Sequence, residues 1–346
     1  MLKQVQHDDY REEIAVRALL STASGGPETL TMGELPEPVA GPGQVVVAVK
    51  ACSINFPDTL MIVDLYQFKP ARPFAPGGEV AGIIEAVGEG VTGFAIGDRV
   101  IGLCGNGGLT EKVAVMAFNV FKLPEAMSFD DGSALLLTYG TSIHALKDRG
   151  HMKAGDNVLV LGGAGGIGIS AIELAKAYGG RVVAGVSSEA KAEIAREAGA
   201  DEVVVYPHQP FDKDQSKALA EMFKAAAGKD GFNIVYDTVG GDYSEPAVRS
   251  IAWEGKFLVV GFPAGIAKLP LNLTLLKSCD VCGVFWGAFA ARDPKTNHAN
   301  VAELFDLYAA GKIKPRISEV FPLERAGDAI ARLGDRAAVG KLVVQI

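Results

Sequence analysis

One stretch constrains the chain more than any other: Val158-Leu-Val-Leu-Gly162-Gly-Ala-Gly165-Gly-Ile-Gly168. An apolar strand, Asn157 to Leu161, runs straight into a glycine cluster, and a helix is predicted from about Ile167 to Tyr178. Gly163, Gly165 and Gly168 fall in GxGxxG register. In a chain with 42 glycines the bare pattern says little, and the strand before it and helix after it give it meaning. Without side chains the backbone can approach a pyrophosphate closely. The first helical turn then offers N–H groups and the positive end of the helix dipole to the phosphates. The plainer alternative is a tight turn with close helix packing.

The end of the second strand bears on which dinucleotide would fit. A site for NAD usually carries an acid about 20 residues past the glycines, on the ribose 2′-hydroxyl. Here that place holds Val186-Ser187-Ser188-Glu189-Ala190-Lys191. Two hydroxyls and a lysine suit a 2′-phosphate, which a carboxylate would repel. Glu189 falls two residues late, where it can face solvent. The plainer reading of Lys191 is a solvated helix residue.

The surrounding pattern is α/β in two parts. From Val16 to about Leu123, short strands such as Val45–Val49, Val80–Val87 and Val113–Val120 alternate with glycine turns, which predicts a barrel-like β domain. From Ser128 the rhythm changes. A helical stretch runs toward Asp148, and strands at 157–161, 181–186, 203–206, 233–237 and 256–261 alternate with helices, which predicts a parallel sheet.

Composition narrows the function. Nearly half of the 346 residues are apolar, and a net charge of −8 with no Lys/Arg block gives no footprint for nucleic acid or an anionic membrane. Four scattered cysteines form no disulfide framework, and the polar first fifteen residues lack a signal-peptide core, so a cytoplasmic protein is expected. No two of the five histidines stand at metal-ligand spacing. Cys279-Asp-Val-Cys282 is a lone pair in an apolar stretch and reads as core packing. Val281 to Ala291 is too short to span a bilayer. The apolar run Val281 to Phe289 reads as a late edge strand, which predicts a homodimer joined through the nucleotide-binding domain.

With these elements in order, the chain resembles the medium-chain dehydrogenase/reductase superfamily, and within it the zinc-free quinone oxidoreductase (zeta-crystallin-like) branch. The carriers are Ala51-Cys-Ser-Ile-Asn55-Phe-Pro-Asp58, Leu65-Tyr66, Pro76-Gly-Gly-Glu79-Val-Ala-Gly82, Gly97-Asp98-Arg99-Val100, Ala164 to Gly168, Tyr236-Asp-Thr-Val-Gly240 and Leu323-Glu-Arg-Ala326. The resemblance implies a GroES-like β-barrel catalytic domain, residues 1–125 with 311–346, and an inserted Rossmann doubly wound parallel sheet, residues 126–310, with a cleft between them.

Departures inform as much as matches. Zinc-dependent relatives carry Gly-His-Glu where this chain has Gly77-Gly78-Glu79, and a ligand cysteine at the place of Asn55. No metal site is therefore expected. The branch usually opens its glycine loop with two alanines. Gly162-Gly163 stand there instead and predict a loop with slightly more freedom.

The resemblance also implies roles. Gly165, Gly166 and Ile167 lie under the pyrophosphate of NADPH. Ser187, Ser188, Lys191 and Tyr206 surround the 2′-phosphate, with Arg336 reaching the same end. Thr141, and His144 beside it, lie near the nicotinamide. Gly261-Phe262 and Phe285-Trp286-Gly287 supply backbone contacts. Asn55 and Tyr66 face substrate, Asn55 offering an amide donor and Tyr66 acting as proton donor as in enoyl-reducing relatives. Asp64 stands where relatives often have glycine, so the Tyr66 loop is expected to aim differently. Tyr206 as a strand-end core residue, His144 as a satisfied helix histidine, Trp286 as plain packing and Tyr66 as cleft wall are the competing assignments.

Three functions remain open. The first is an NADPH-dependent reductase of quinones or of activated C=C bonds in enones and acrylates. The second is a reductase of enoyl thioesters such as acryloyl-CoA species. The third is a non-catalytic NADPH-binding protein.

Overall fold

Valine, isoleucine and alanine fill the segments between the early glycine turns, and these segments form strands buried on at least one face. The structure, a computed structural model, describes residues 15–335 and 338–346, which divide into two units. The first runs to Lys122 and adds Phe321–Ala331 and Val344–Ile346. It opens with a hairpin, β1 (Ala15–Leu20) against β2 (Thr31–Pro36). The long strand β3 (Gln44–Ile54) leads into the short helix α1 (Phe56–Met61). β3 pairs antiparallel with β4 (Glu79–Val87) and β6 (Lys112–Met116), while β5 (Arg99–Leu103) joins β4 to β7 (Val120–Lys122). Register shifts at Val46/Val47 and Val49/Ala51 bend β3. The expected single strand Val113–Val120 is two, parted by one 3₁₀ turn at Ala117–Asn119, because the chain changes partner there from β3 to β5.

The second unit spans Leu123–Val320 and Arg332–Val343. The stretch expected to be one helix toward Asp148 is α2 (Phe129–Ser133), α3 (Leu136–Ile143) and a π turn over His144–Arg149, closed by the Gly150 N–H on the Ala145 carbonyl at 2.7 Å. There follow β8 (Asn157–Leu161), α4 (Gly166–Ala177), β9 (Arg181–Val186), α5 (Glu189–Glu197), β10 (Glu202–Val205), α6 (Lys213–Ala227), β11 (Phe232–Asp237), α7 (Ser244–Arg249), β12 (Ile251–Val259), α8 (Leu271–Lys277), β13 (Asp280–Gly283), α9 (Trp286–Arg292) and α10 (Pro294–Ala309). All six strands are parallel, in the order β10-β9-β8-β11-β12-β13. That is the doubly wound order 3-2-1-4-5-6, which reverses between β8 and β11, and ligands bind such sheets outside the strand carboxyl ends at the reversal. Helices cover both faces, so Val158–Leu161, Val182–Ala184 and Ile234–Tyr236 are all buried.

The late apolar run departs from its expected form. Only Asp280–Gly283 pairs with β12, and Trp286–Phe289 begins α9, because the Trp286 ring packs on Gly140 of α3 instead of extending the strand. The edge position of that strand stands, since β13 closes the sheet.

Candidate functional site

The glycine loop leaves β8 at the reversal point and caps α4 with Gly165, which brings no side chain to the cap. Gly162 takes φ +77°, and a Cβ there would meet the Thr238 hydroxyl at 2.5 Å. A Cβ on Gly168 would lie 2.1 Å from the Gly162 carbonyl oxygen. Thr238 donates to the Leu161 carbonyl at 2.8 Å, which holds its hydroxyl against the open side of Gly162. By contrast, a Cβ on Gly165 would find only the Gly162 oxygen, at 3.6 Å, and the residue is exposed. Open space over Gly165, beside the exposed N–H groups of the first turn of α4, fits a pyrophosphate.

At the end of β9 three of the expected residues converge. Ser188 caps α5 by accepting from the Lys191 N–H at 3.3 Å, and the Lys191 ammonium donates to the Ser187 hydroxyl at 3.3 Å. Glu189 is exposed in the first turn of α5. Tyr206 is the neighbour that does not join this corner with its side chain. Its N–H pairs with Val186, but its ring is buried against Gly185 and Tyr243. Burial pushes its phenol well above the ordinary value, with Tyr243 adding and the Gly162 backbone opposing. Arg336 lies outside the described residues.

α3 is bolted to α4. The Ser142 hydroxyl meets those of Ser170 at 2.7 Å and Tyr236 at 2.8 Å. Glu173 of α4 accepts from the Tyr139 hydroxyl at 2.6 Å and from the Lys314 N–H at 3.0 Å. Thr141 is half-buried on the same helix. His144 is buried, with Nδ1 2.8 Å from Asp148 Oδ2 and its ring stacked on Phe289 at 3.9 Å. Trp286 is buried too, its indole N–H donating to Asn297 at 3.0 Å. Phe262, Phe285 and Gly287 are exposed, and Gly261 donates to the Asp237 carbonyl at 3.2 Å.

In the first unit, Asn55 ends β3 and caps α1. Its amide donates to Glu79 Oε2 at 3.2 Å and to the Ser53 carbonyl and hydroxyl, both at 3.3 Å. Ser53 donates to the same Glu79 oxygen, and Asp58 accepts from the N–H groups of Asn55 (2.8 Å) and Gly77 (3.0 Å). Glu79 and Asp58 are both fully buried. Tyr66 is half-buried, and burial, with Asp58 adding to it, raises its phenol. It therefore stays protonated and able to donate at neutral pH. Asp64 adopts φ +58°, the conformation a glycine would take, at a cost of about 1–2 kcal/mol for most L residues. Arg72 grips its carboxylate at 2.9 and 3.1 Å.

Some contributors went unassigned in the sequence. Thr238 and buried Asp237 shape the reversal point, Asp237 accepting from the N–H groups of Val239 and Gly240 and from Ser244. Their signal was the Tyr236–Gly240 motif itself. Among the described residues, no group of three or more His, Cys, Asp or Glu is arranged to hold a metal, and no helix is long and apolar enough to cross a membrane.

The comparisons agree with this geometry. Residues 41–125 match the alcohol dehydrogenase GroES-like domain family, and residues 166–306 match the zinc-binding dehydrogenase family. The quinone oxidoreductase-like protein 2 homolog of Nematostella vectensis is 36% identical over 307 residues, 88% of this chain and 82% of that protein. A mycobacterial structure complexed with NADPH superposes with a TM-score of 0.87 at 30% identity, covering 96% of this chain and all of the other. Escherichia coli quinone oxidoreductase complexed with NADPH gives 0.86 at 29% identity, covering 95% and 100%. The chain belongs to the medium-chain dehydrogenase/reductase superfamily, in its zinc-free quinone oxidoreductase branch. The antiparallel first unit and the six-stranded parallel sheet are its GroES-like and Rossmann parts.

Glu173 carries a pH dependence. Burial, partly opposed by its hydrogen bonds to Tyr139 and Lys314, lifts it from 4.5 to about 7. Between those values the native state binds more protons than the unfolded chain, so this site loses stability as pH rises through that window. Wild type should lose on the order of 2 kcal/mol here between pH 5 and 8, a loss absent from Glu173→Gln. Urea unfolding of both proteins at the two pH values checks it, and a stability difference between them that does not move with pH would refute it.

Proposed function

We propose that this protein is an NADPH-dependent reductase of quinones or of activated C=C bonds in enones and acrylates, working without zinc. The observation that carries the cofactor choice is the corner at the end of β9, where Lys191 leans on Ser187 and no carboxylate occupies the 2′ position. The NADPH complexes of the mycobacterial and E. coli relatives support it. Gly165, Gly166 and Ile167 lie under the pyrophosphate. Ser187, Ser188 and Lys191 take the 2′-phosphate, with Tyr206 behind the glycine loop and Arg336 as a further contact. Thr141 and the backbone of Gly261, Phe262, Phe285, Trp286 and Gly287 serve the nicotinamide end, and His144 shapes its wall. Residues 1–125 with 311–346 supply the substrate side, and 126–310 the cofactor side.

Bound NADPH supplies a hydride to the electrophilic carbon. Negative charge then develops on the substrate oxygen and must meet hydrogen-bond donors. Tyr66, held protonated, donates the proton that completes reduction of a C=C bond. Asn55, whose amide is spent on Glu79 and Ser53, positions the turn that precedes Tyr66. Asn55 and Gly78, at the two family ligand positions, motivate the metal-free reading.

Four outcomes follow. NADPH oxidation should be detectable with a quinone or an enone, and prior chelation should leave it unchanged; stoichiometric zinc whose removal abolishes turnover would refute that. Failure with both substrates alongside turnover of an enoyl thioester would transfer the activity to that class. Lys191→Ala should raise the KM for NADPH about tenfold or more, as a charge-assisted phosphate contact of about 1.5–3 kcal/mol requires, and leave NADH nearly unchanged. Equal loss with both cofactors would count against the assignment. Tyr66→Phe should cut kcat on an enone by about 10²–10⁴ and on a quinone less, since a hydroquinone anion leaves without an enzymatic proton. Retention of more than about half of kcat on every C=C substrate would make Tyr66 a wall residue. Exposed Val281 on the edge strand β13, and exposed Leu271, Leu275 and Leu276 of α8, support a homodimer. A monomer by sedimentation at micromolar concentration would overturn it.

A further inference from the structure

The loop that carries Tyr66 hangs from one side chain. α1 ends in buried Met61 and Ile62, and the chain turns at once: Asp64 takes φ +58° and the Leu65 N–H reaches back to the Leu60 carbonyl at 2.9 Å. Beyond the turn, Leu65 and Phe68 are 74% and 54% exposed, so the tip of the loop has little packing of its own. Arg72 closes the loop from its far end. Its Nη1 donates to both Asp64 carboxylate oxygens, its Nη2 to the Ile62 carbonyl at 2.9 Å and its Nε to the Ser21 hydroxyl at 3.3 Å, so one guanidinium forks across three anchors. Ser24 joins Arg72 in lowering the Asp64 carboxyl, Arg72 contributing the larger part, so the carboxylate is ionised at neutral pH.

We propose that the Arg72–Asp64 fork is a positioning device that sets the reach of the Tyr66 hydroxyl. This rests on the proton-donor reading of Tyr66 given above. The same turn can be made in two ways. Glycine would adopt a positive φ at no steric cost, but it has no side chain to tie the turn to anything. Aspartate tolerates the same conformation and adds a carboxylate for a planar guanidinium, whose remaining N–H groups on the Ile62 carbonyl and the Ser21 hydroxyl fix its direction. Tyr66 lies two residues beyond the clamped position. A general acid acts only within hydrogen-bond reach of the atom it protonates, and a displacement of about 1 Å can cost about 10²-fold in rate. The fork therefore acts on catalysis through the placement of Tyr66 and not through contact with substrate.

The test uses the full-length protein with a cyclic enone and a benzoquinone as substrates. Asp64→Gly keeps the turn and removes the carboxylate. Arg72→Lys keeps the charge and removes the fork. Each should lower kcat on the enone about tenfold, leave the KM for NADPH within about twofold, and change quinone turnover less than about threefold. Combined with Tyr66→Phe, neither should lower the enone kcat further, because the effect runs through that hydroxyl. Losses that multiply with Tyr66→Phe, equal losses on both substrates, or no loss at all would overturn the proposal. A Tyr66→Phe enzyme that is itself unimpaired on the enone would instead overturn the proton-donor reading. Thermal melts accompany the kinetics, and if Asp64→Gly does not fold, Arg72→Lys alone carries the same comparison.

Discussion

The approach of the Gly162 carbonyl to Gly168 is the contact on which the nucleotide side of this molecule depends. No Cβ fits at residue 168, so the loop can double back onto the helix it has just begun. That sets where α4 starts, and α4 in turn sets α3, because Ser170 and Glu173 reach across to Ser142 and Tyr139. On the other flank, a Cβ at Gly163 would stand 2.9 Å from that of Ala184, so the same loop fixes its distance from β9 and hence from the Ser187 corner. One close approach of backbones thus sets three places in this unit: the glycine turn, the Ser187 corner and the helix that bears Thr141.

Close approach of this kind demands that the polar groups it buries find partners. Tyr236 lies fully buried on β11 with its hydroxyl on Ser142, and Asp237, one residue on, takes two N–H groups and the Ser244 hydroxyl. Burial still raises Asp237 above its usual range, since three donors only partly offset the loss of water. Among the described residues no buried side-chain nitrogen or oxygen lacks a partner. The side chains of the reversal point therefore form a satisfied network.

Periodicity and punctuation reach part of this. The runs at 157–161 and 181–186 read directly as strands because buried parallel strands are continuous apolar stretches. β12 begins five residues earlier than its apolar pattern suggests, since Ile251 pairs with Phe232 across a register shift and Glu254, at φ +57°, carries the chain past it. The α9 helix hid in an apolar run because Trp286 is buried by a tertiary partner, Gly140, that no local window contains. The candidate site divides in the same way. Ser187, Ser188 and Lys191 are close in sequence and visible together. Asp64 with Arg72, or Thr238 with Gly162, are pairs made by the fold, and neither member alone carries a signal.

The first unit shows how a buried polar cluster assigns roles. Two carboxylates, Glu79 and Asp58, sit fully inside and require donors, since an unpaired buried charge costs several kcal/mol. Their donors include the Ser53 hydroxyl, the Asn55 amide and the N–H groups of Asn55 and Gly77. The Asn55 amide is tied in this way to Glu79 and Ser53. Its value lies in rigidity: it locks the end of β3 to the start of α1, and α1 ends at the turn that leads to Tyr66. Tyr66 stands at the edge of this cluster, near enough to Asp58 for the carboxylate to raise its phenol further, yet half-exposed. Burial of the carboxylates, engagement of Asn55 and retention of the Tyr66 proton are thus one electrostatic arrangement, with the Tyr66 hydroxyl at its margin.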